Sequence, residues 1–215
     1  ELTFTGSGTQ TWSGTGTAAY NGNVTINASG TVQFGSAVTL DNSSQTFTLT
    51  AGTFAPSGYT FTLVNYSQNG GTFTGGSGTI DVNGTFTLSG GTFTATSGTM
   101  TVNNTWTHTA GGTFTPNEGS VTFGGGSKSI DVATSETFYN LTFDNNNSST
   151  TTLGTNDDII VTHNATFADG LVNATSGHGI QAQGNVSVIT GYDGGTAELT
   201  FTGSGTQTWS GTGTA

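Results

Sequence analysis

The sequence has no cysteine, no arginine and a single lysine, Lys128. Without cysteine there can be no disulfide framework, Cys-ligated zinc, iron–sulfur cluster or thiol catalysis. One base against 12 carboxylates gives a formal net charge of -11 at pH 7. Such a chain repels a phosphate backbone, which excludes nucleic-acid binding. Charged residues make up only 6% of the chain and proline occurs twice. The apolar runs are short, too short for a membrane-spanning helix or the core of a signal peptide.

What remains is unusual in another way. There are 36 glycines, yet 31% of the chain is hydrophobic and it carries 14 Phe, 5 Tyr and 3 Trp. A disordered Gly/Ser/Thr linker would not hold so much apolar material, so the chain is expected to fold. No stretch shows the three-and-four apolar spacing of an amphipathic helix, and Thr, Val, Phe and Gly dominate, so helix should be nearly absent. Alternation with period two is common instead. From Ile80 to Leu88 apolar and polar residues alternate, Gly90-Gly91 interrupts, and Thr92-Phe93-Thr94 resumes with the opposite parity. Met100 to Trp106, Gly111-Gly112 and Thr113-Phe114-Thr115 repeat the arrangement. These are strands joined by glycine corners.

Repeats operate on two scales. Glu1 to Ala18 reads ELTFTGSGTQTWSGTGTA, and the same eighteen letters return from Glu198 to Ala215. Residues 1–197 therefore read as one unit of a tandem array, and 198–215 as the start of the next identical unit. Within the unit, apolar-x-apolar triplets recur at Leu2, Val24, Val38, Tyr59, Ile80, Met100, Val121, Leu141, Val161, Ile180 and Leu199. From Ile80 onward they fall about twenty positions apart, the period of a solenoid. Val24 and Val38 stand much closer together, which leaves the register open between Val24 and Tyr59. Residues 2–21 also resemble 121–140, which points to an older duplication.

A period near twenty, several short strands per period and glycine corners converge on one architecture. The chain is expected to be all-β, a single-stack parallel β-helix, or β-solenoid, of about ten coils with ~20 residues per coil, stacked ~4.8 Å apart. Apolar side chains would stack inside and Thr or Ser would cover the faces. Scarcity of charge fits, because a charge repeated at one coil position makes a self-repelling ladder.

The strings GTFTATSGTMTVNNTW, GTFTPNEGSVTFGG and FYNLTFDNNN resemble the giant repetitive cell-surface proteins of bacteria and archaea, a likeness that covers essentially the whole chain. It implies an exported, rod-like element of the cell exterior: a structural segment of an extracellular filament or fibre, with no catalytic residue. Further copies of the repeat, stacked end to end within one giant chain or head to tail, are the implied partners. Solenoids need capping or continuation of their bare ends. One lysine gives trypsin-like proteases little to cut, and one Met with no Cys leaves little to oxidise. The alternative is an adhesin that binds glycans or surfaces laterally through Tyr59, Tyr66 or Tyr192.

Other motifs point less far. The acid-plus-base pairing of β-helix lyases is missing, since Lys128 stands alone in a turn-like Gly124-Gly125-Gly126-Ser127-Lys128, and the reading is not an enzyme. Gly75-Gly76-Ser77-Gly78-Thr79-Ile80-Asp81 approaches a calcium-binding nonapeptide, but its Asp is one place late and faces the other way. Asn156-Asp157-Asp158 could take an adventitious calcium or be a solvated corner. His108 reads as a core-edge residue, His163 as replacing an apolar position beside Val161, and His178 as a turn residue; none shares a ligand spacing with another. No metal or cofactor is expected. Repeated Thr-x-Thr pairs could order water, as an ice-binding ladder does, or could simply cover a charge-poor strand. Twelve asparagines begin an Asn-x-Ser/Thr sequon and are candidate glycosylation sites: Asn23, Asn27, Asn42, Asn65, Asn83, Asn103, Asn140, Asn146, Asn147, Asn164, Asn173 and Asn185. Period-two alternation would itself place Ser or Thr two places after a surface Asn.

Overall fold

Alternating Thr and aromatic or branched residues favour pleated backbone, and the glycines between them turn it at short intervals, so the chain winds rather than folding back. The computed structural model describes residues 1–14, 20–109 and 111–212. Every strand pairing in them is parallel, and no helix occurs among the described residues. The result is a β-solenoid of ten coils with three faces. Inward residues form a vertical stack on each.

The first face stacks Leu2, Val24, Phe47, Tyr66, Phe86, Trp106, Ile130 and Leu153 in register. The second stacks Gln10, Val32, Phe54, Phe73, Phe93 and Phe114. It continues through the ring of Phe138, 5.4 Å from Phe114, to Val161, Ala182 and Phe201. The third holds Val38, Phe61, Ile80, Met100, Val121, Leu141, Ala165, Val186 and Trp209. Aromatic rings meet face to face along these stacks, Phe73 on Phe93 at 4.2 Å and Phe86 on Trp106 at 4.0 Å. Such contacts add roughly 0.5–1.5 kcal/mol each beyond the area they bury.

The three stacks settle the register that the sequence left open. Val24 and Val38 lie on the first and third faces of the same coil, which explains their short step, and the partner of Val38 is Phe61 in the next coil. One correction applies further along. Ile80, Met100, Val121 and Leu141 share the third face, but Val161 lies on the second, paired with Phe138; the partner of Leu141 is Ala165. The longer corner at residues 145–149 delays the faces that follow it, so an apolar triplet at the ordinary period falls one face early, and a register shift between Phe138 and Asn140 adds one more residue before Ala165. Coils are therefore unequal: the step from Phe47 to Tyr66 is short, and those from Trp106 to Ile130 and from Leu141 to Ala165 are long.

The long repeat is out of step with the coils. Leu2 lies under Val24 on the first face, whereas its counterpart Leu199 lies over Ile180 on the second. Likewise Trp12 pairs with Phe34 on the second face and Trp209 with Val186 on the third. The offset between the copies is thus nine coils and one face, slightly fewer than ten coils per unit. The copies' last residues (15–18 and 213–215) lie outside the described residues, so the comparison stops at Gly14 and Gly211.

Glycine corners are stacked too. Gly52, Gly71, Gly91 and Gly112 all have positive φ, from 64° to 78°. At Gly91 a Cβ would also lie 2.3 Å from the carbonyl oxygen of Gly71 in the coil below. Gly8 is ordinary in both respects: no atom lies within 4 Å of a Cβ built there. Gly91→Ala is expected to destabilise the fold by roughly 1–3 kcal/mol, and Gly8→Ala to change it by less than about 0.5 kcal/mol; denaturant titration of the two variants checks the contrast.

Candidate functional site

The corners between faces carry the polar chemistry of this solenoid, because there the backbone leaves the ladder and needs other partners. Several sequon asparagines serve it. The carboxamide oxygens of Asn23, Asn65, Asn173 and Asn185 accept the backbone N–H of Thr46, Thr85, Thr196 and Thr208 in the next coil, at 2.9 to 3.0 Å. Asn103 donates to Asn83 at 3.2 Å, and Asn164 to Asn140 at 3.0 Å. Asn23, Asn27, Asn42, Asn83, Asn146, Asn147 and Asn185 are exposed; Asn65, Asn103, Asn140, Asn164 and Asn173 are half-buried. Several of the sequon carboxamides are thus engaged in bonds between coils.

Threonines line the outside as ladders on all three faces. Thr3, Thr25, Thr48, Ser67, Thr87 and Thr107 follow one another on the first. The paired Thr-x-Thr pattern persists for three coils on the second, at Thr72/Thr74, Thr92/Thr94 and Thr113/Thr115. The three tyrosines weighed for lateral binding do not meet. Tyr66 is buried, Tyr192 is half-buried against Phe167 with ring centroids 5.0 Å apart, and Tyr59 is exposed.

The titratable groups lie in separate places. His108 and Glu136 form one pair, Nδ1 to Oε2 at 2.6 Å, with Nε2 of His108 on the Gly111 carbonyl at 3.0 Å. Burial pushes the Glu136 carboxyl up, and the His108 contact pulls it partly back. His163 is exposed rather than inward, because the register shift near Asn140 turns it out to stack on Tyr139 at 4.7 Å. Nδ1 of His178 lies 3.3 Å from Oδ1 of Asp158, which also accepts the Gly179 N–H at 3.1 Å. Among the described residues no three His, Asp or Glu side chains converge on a point where a metal could be held.

Asp157 is not a solvated corner residue. It is 2% exposed, and its Oδ2 accepts the Val132 N–H from the coil below at 2.8 Å. Asp158 faces the coil above, so the adjacent carboxylates serve different neighbours. Lys128, read from the sequence as a turn residue, is also inward: it begins the strand Lys128–Val132 and is 6% exposed. Its ammonium donates to the Gly126 carbonyl at 2.6 Å and to the carboxamide oxygen of Asn145, which is fully buried. Thr151, one coil above Lys128 in register, holds that carboxamide by both ends: Nδ2 of Asn145 donates to Thr151 Oγ1 at 2.9 Å, and the hydroxyl reaches Oδ1 at 3.1 Å. Asn145 and Thr151 were not foreseen. Parity would have signalled Lys128, since it alternates with Ile130 and Val132.

No family profile matches the chain, and it matches no curated protein and no solved structure. The fold defines its class on its own: a three-faced parallel β-solenoid.

Two outcomes are expected. Glycopeptide mapping of native protein should find any N-linked sugar on exposed asparagines such as Asn42, Asn146 and Asn147, with Asn65 and Asn164 bare because their carboxamides are engaged. The second concerns pH. Burial, with repulsion from Asp131 and Asp158, raises the Asp157 carboxyl above its ordinary 3.8, against the pull of the Val132 N–H. The folded chain then holds this proton more tightly than the unfolded one, so the contribution is full below the ordinary value and fades as pH rises through the raised one. Asp157→Asn keeps an acceptor for Val132 and should flatten that decline; thermal midpoints across the acid range measure it.

Proposed function

We propose that this chain is a repeating segment of an extracellular filament or cell-surface fibre, a rigid rod that resists proteases. The observation that carries the reading is the treatment of the recurrent segment. Glu198–Phe201 stacks in parallel on Gly179–Ala182 and Trp209–Gly211 on residues 186–188, so the start of the next unit continues the solenoid as another coil. In the first copy, Phe4 and Trp12 are half-buried beneath Val24–Phe34; in the second, Phe201 and Trp209 are 38% and 54% exposed. A following unit supplies the same cover.

Other features support a place outside the cell. The one trypsin site is buried at Lys128, there is no cysteine, and the single Met, Met100, is buried in the third face. Axial tension on a continuous solenoid must break a whole parallel ladder at once, and the stability of the fold grows with the number of coils. Because the unit is nine coils and one face long, consecutive units present equivalent surfaces a third of a turn apart, and the fourth unit repeats the first. Lateral binding to glycans or surfaces remains the alternative function, with Tyr59 as its exposed aromatic.

Electron microscopy of three units joined in one chain tests the proposal. Continuous rods are expected, advancing about 45 Å per unit at the ~4.8 Å spacing of stacked strands, each unit rotated by a third of a turn. Separate compact particles would refute the fibre, whereas rods with every unit in the same orientation would refute only the rotation.

A further inference from the structure

The chain's one basic side chain is placed where a charge is least welcome. Lys128 is inward and nine-tenths buried, and among the described residues the only ion pairs are His108 with Glu136 and His178 with Asp158. A buried ammonium with no carboxylate is strongly disfavoured, and the two neutral oxygens it meets compensate it only in part. The amine does have a reactive neighbour. It sits on the carboxamide of Asn145, which is sealed from water and clamped by Thr151.

The geometry points to a covalent cross-link: an isopeptide bond between Nζ of Lys128 and Cγ of Asn145, formed within the folded chain with release of ammonia. The neutral amine attacks Cγ, and a C–N bond forms while the carbonyl electrons move onto Oδ1. The Thr151 hydroxyl, 3.1 Å from Oδ1, donates to the developing oxyanion. A proton from Nζ passes to Oδ1, which Nζ already contacts, and on through the Thr151 hydroxyl, which meets Oδ1 at 3.1 Å and Nδ2 at 2.9 Å, to Nδ2; the Cγ–Nδ2 bond then breaks and releases ammonia. Amine plus carboxamide become a secondary amide plus ammonia, with no oxidant, reductant or co-reactant. Burial supports the first step by lowering the Lys128 amine to about 8, which brings its nucleophilic form within reach of neutral pH. Held groups in a dry site need little further organisation to react. The product carries no charge, so the reaction also removes the desolvation penalty that the free ammonium imposes.

The bond would have a mechanical meaning. Residues 128 and 145 lie at successive passages of the chain past the same edge, between the third and first faces. Joining them closes one coil into a ring of fixed length. Force that peels coils from either end would then stop at this one.

Intact-mass measurement of the full chain, made in a host that attaches no N-glycans, tests the inference. The expected mass is that of the sequence less one ammonia. Cleavage after Phe and Leu should yield a branched peptide joining residues 124–138 to residues 144–153 through Lys128 and Asn145. Lys128→Met and Asn145→Ala should each restore the ammonia. An unmodified wild-type mass overturns the inference without recourse to any variant. So does an ammonia loss that maps to a cyclised Asn-Gly step at Asn21, Asn69 or Asn83, or that survives Lys128→Met.

Discussion

The strands within the stack find their hydrogen-bond partners in the neighbouring coils, never in a hairpin, and that single constraint governs the composition. In a parallel ladder a residue is repeated in kind, not merely in pattern, because like positions stack directly over one another. Inward positions must then be apolar in coil after coil, as Phe54, Phe73, Phe93 and Phe114 are. Outward positions must tolerate their own copies at strand spacing, which Thr does and Asp or Lys does not. Corners must repeat as well, so glycines with positive φ fall above one another and leave no room for a side chain. Low charge, abundant Thr and abundant Gly are three results of one geometry.

The same constraint explains how a repeat can be out of phase with its own coils. The three faces are built alike in one respect: short strands in which inward apolar and outward polar residues alternate, separated by corners. The triplet Leu2-Thr3-Phe4 pairs with Val24-Thr25-Ile26 on the first face, and its copy Leu199-Thr200-Phe201 pairs with Ile180-Gln181-Ala182 on the second. Neither pairing requires anything particular to one face. Backbone complementarity is therefore satisfied by any face, and the unit need not span a whole number of turns.

The architecture was legible in the sequence because its signals are local and repeated: alternation marks strands, Gly-Gly marks corners, and a period of about twenty marks stacking. Which face a strand occupies was less legible. Val161 carries an apolar triplet at the right distance from Leu141, but corner length decides the face, and it is set by hydrogen bonds at residues 145–149 that leave no periodic trace. Polar residues suffered most. Lys128 and Asp157 read as solvent-facing by type; parity with Ile130 and Val132 would have signalled the first, and only the surrounding coils show that the second is buried. The sequons were legible as strings, yet the bonds that Asn65 and Asn185 make, to Thr85 and Thr208, each reach a whole coil along the chain.

Coil length also decides where the interior becomes polar. Coils are short from Phe47 to Trp106 and from Phe54 to Phe114, and there the aromatic stacks of the first two faces are continuous. Where they lengthen, as from Val24 to Phe47, Trp106 to Ile130 and Leu141 to Ala165, inward polar side chains enter: Gln45, Lys128, Asn145 and Thr151. Extra residues at a corner carry backbone carbonyls out of register with the coils on either side. A buried carbonyl without a donor costs about 1–3 kcal/mol, so an inward donor is favoured there despite its own desolvation. Gln45 does this for the carbonyls of Tyr20 and Gly22, which lie where the chain is half-buried. Gln68 and Thr96 meet similar needs in shorter coils, so length is the usual origin of such gaps and corner shape is another. The polar interior from Lys128 to Asp157 is thus a product of longer corners, and those corners also bring an amine and a carboxamide together away from water.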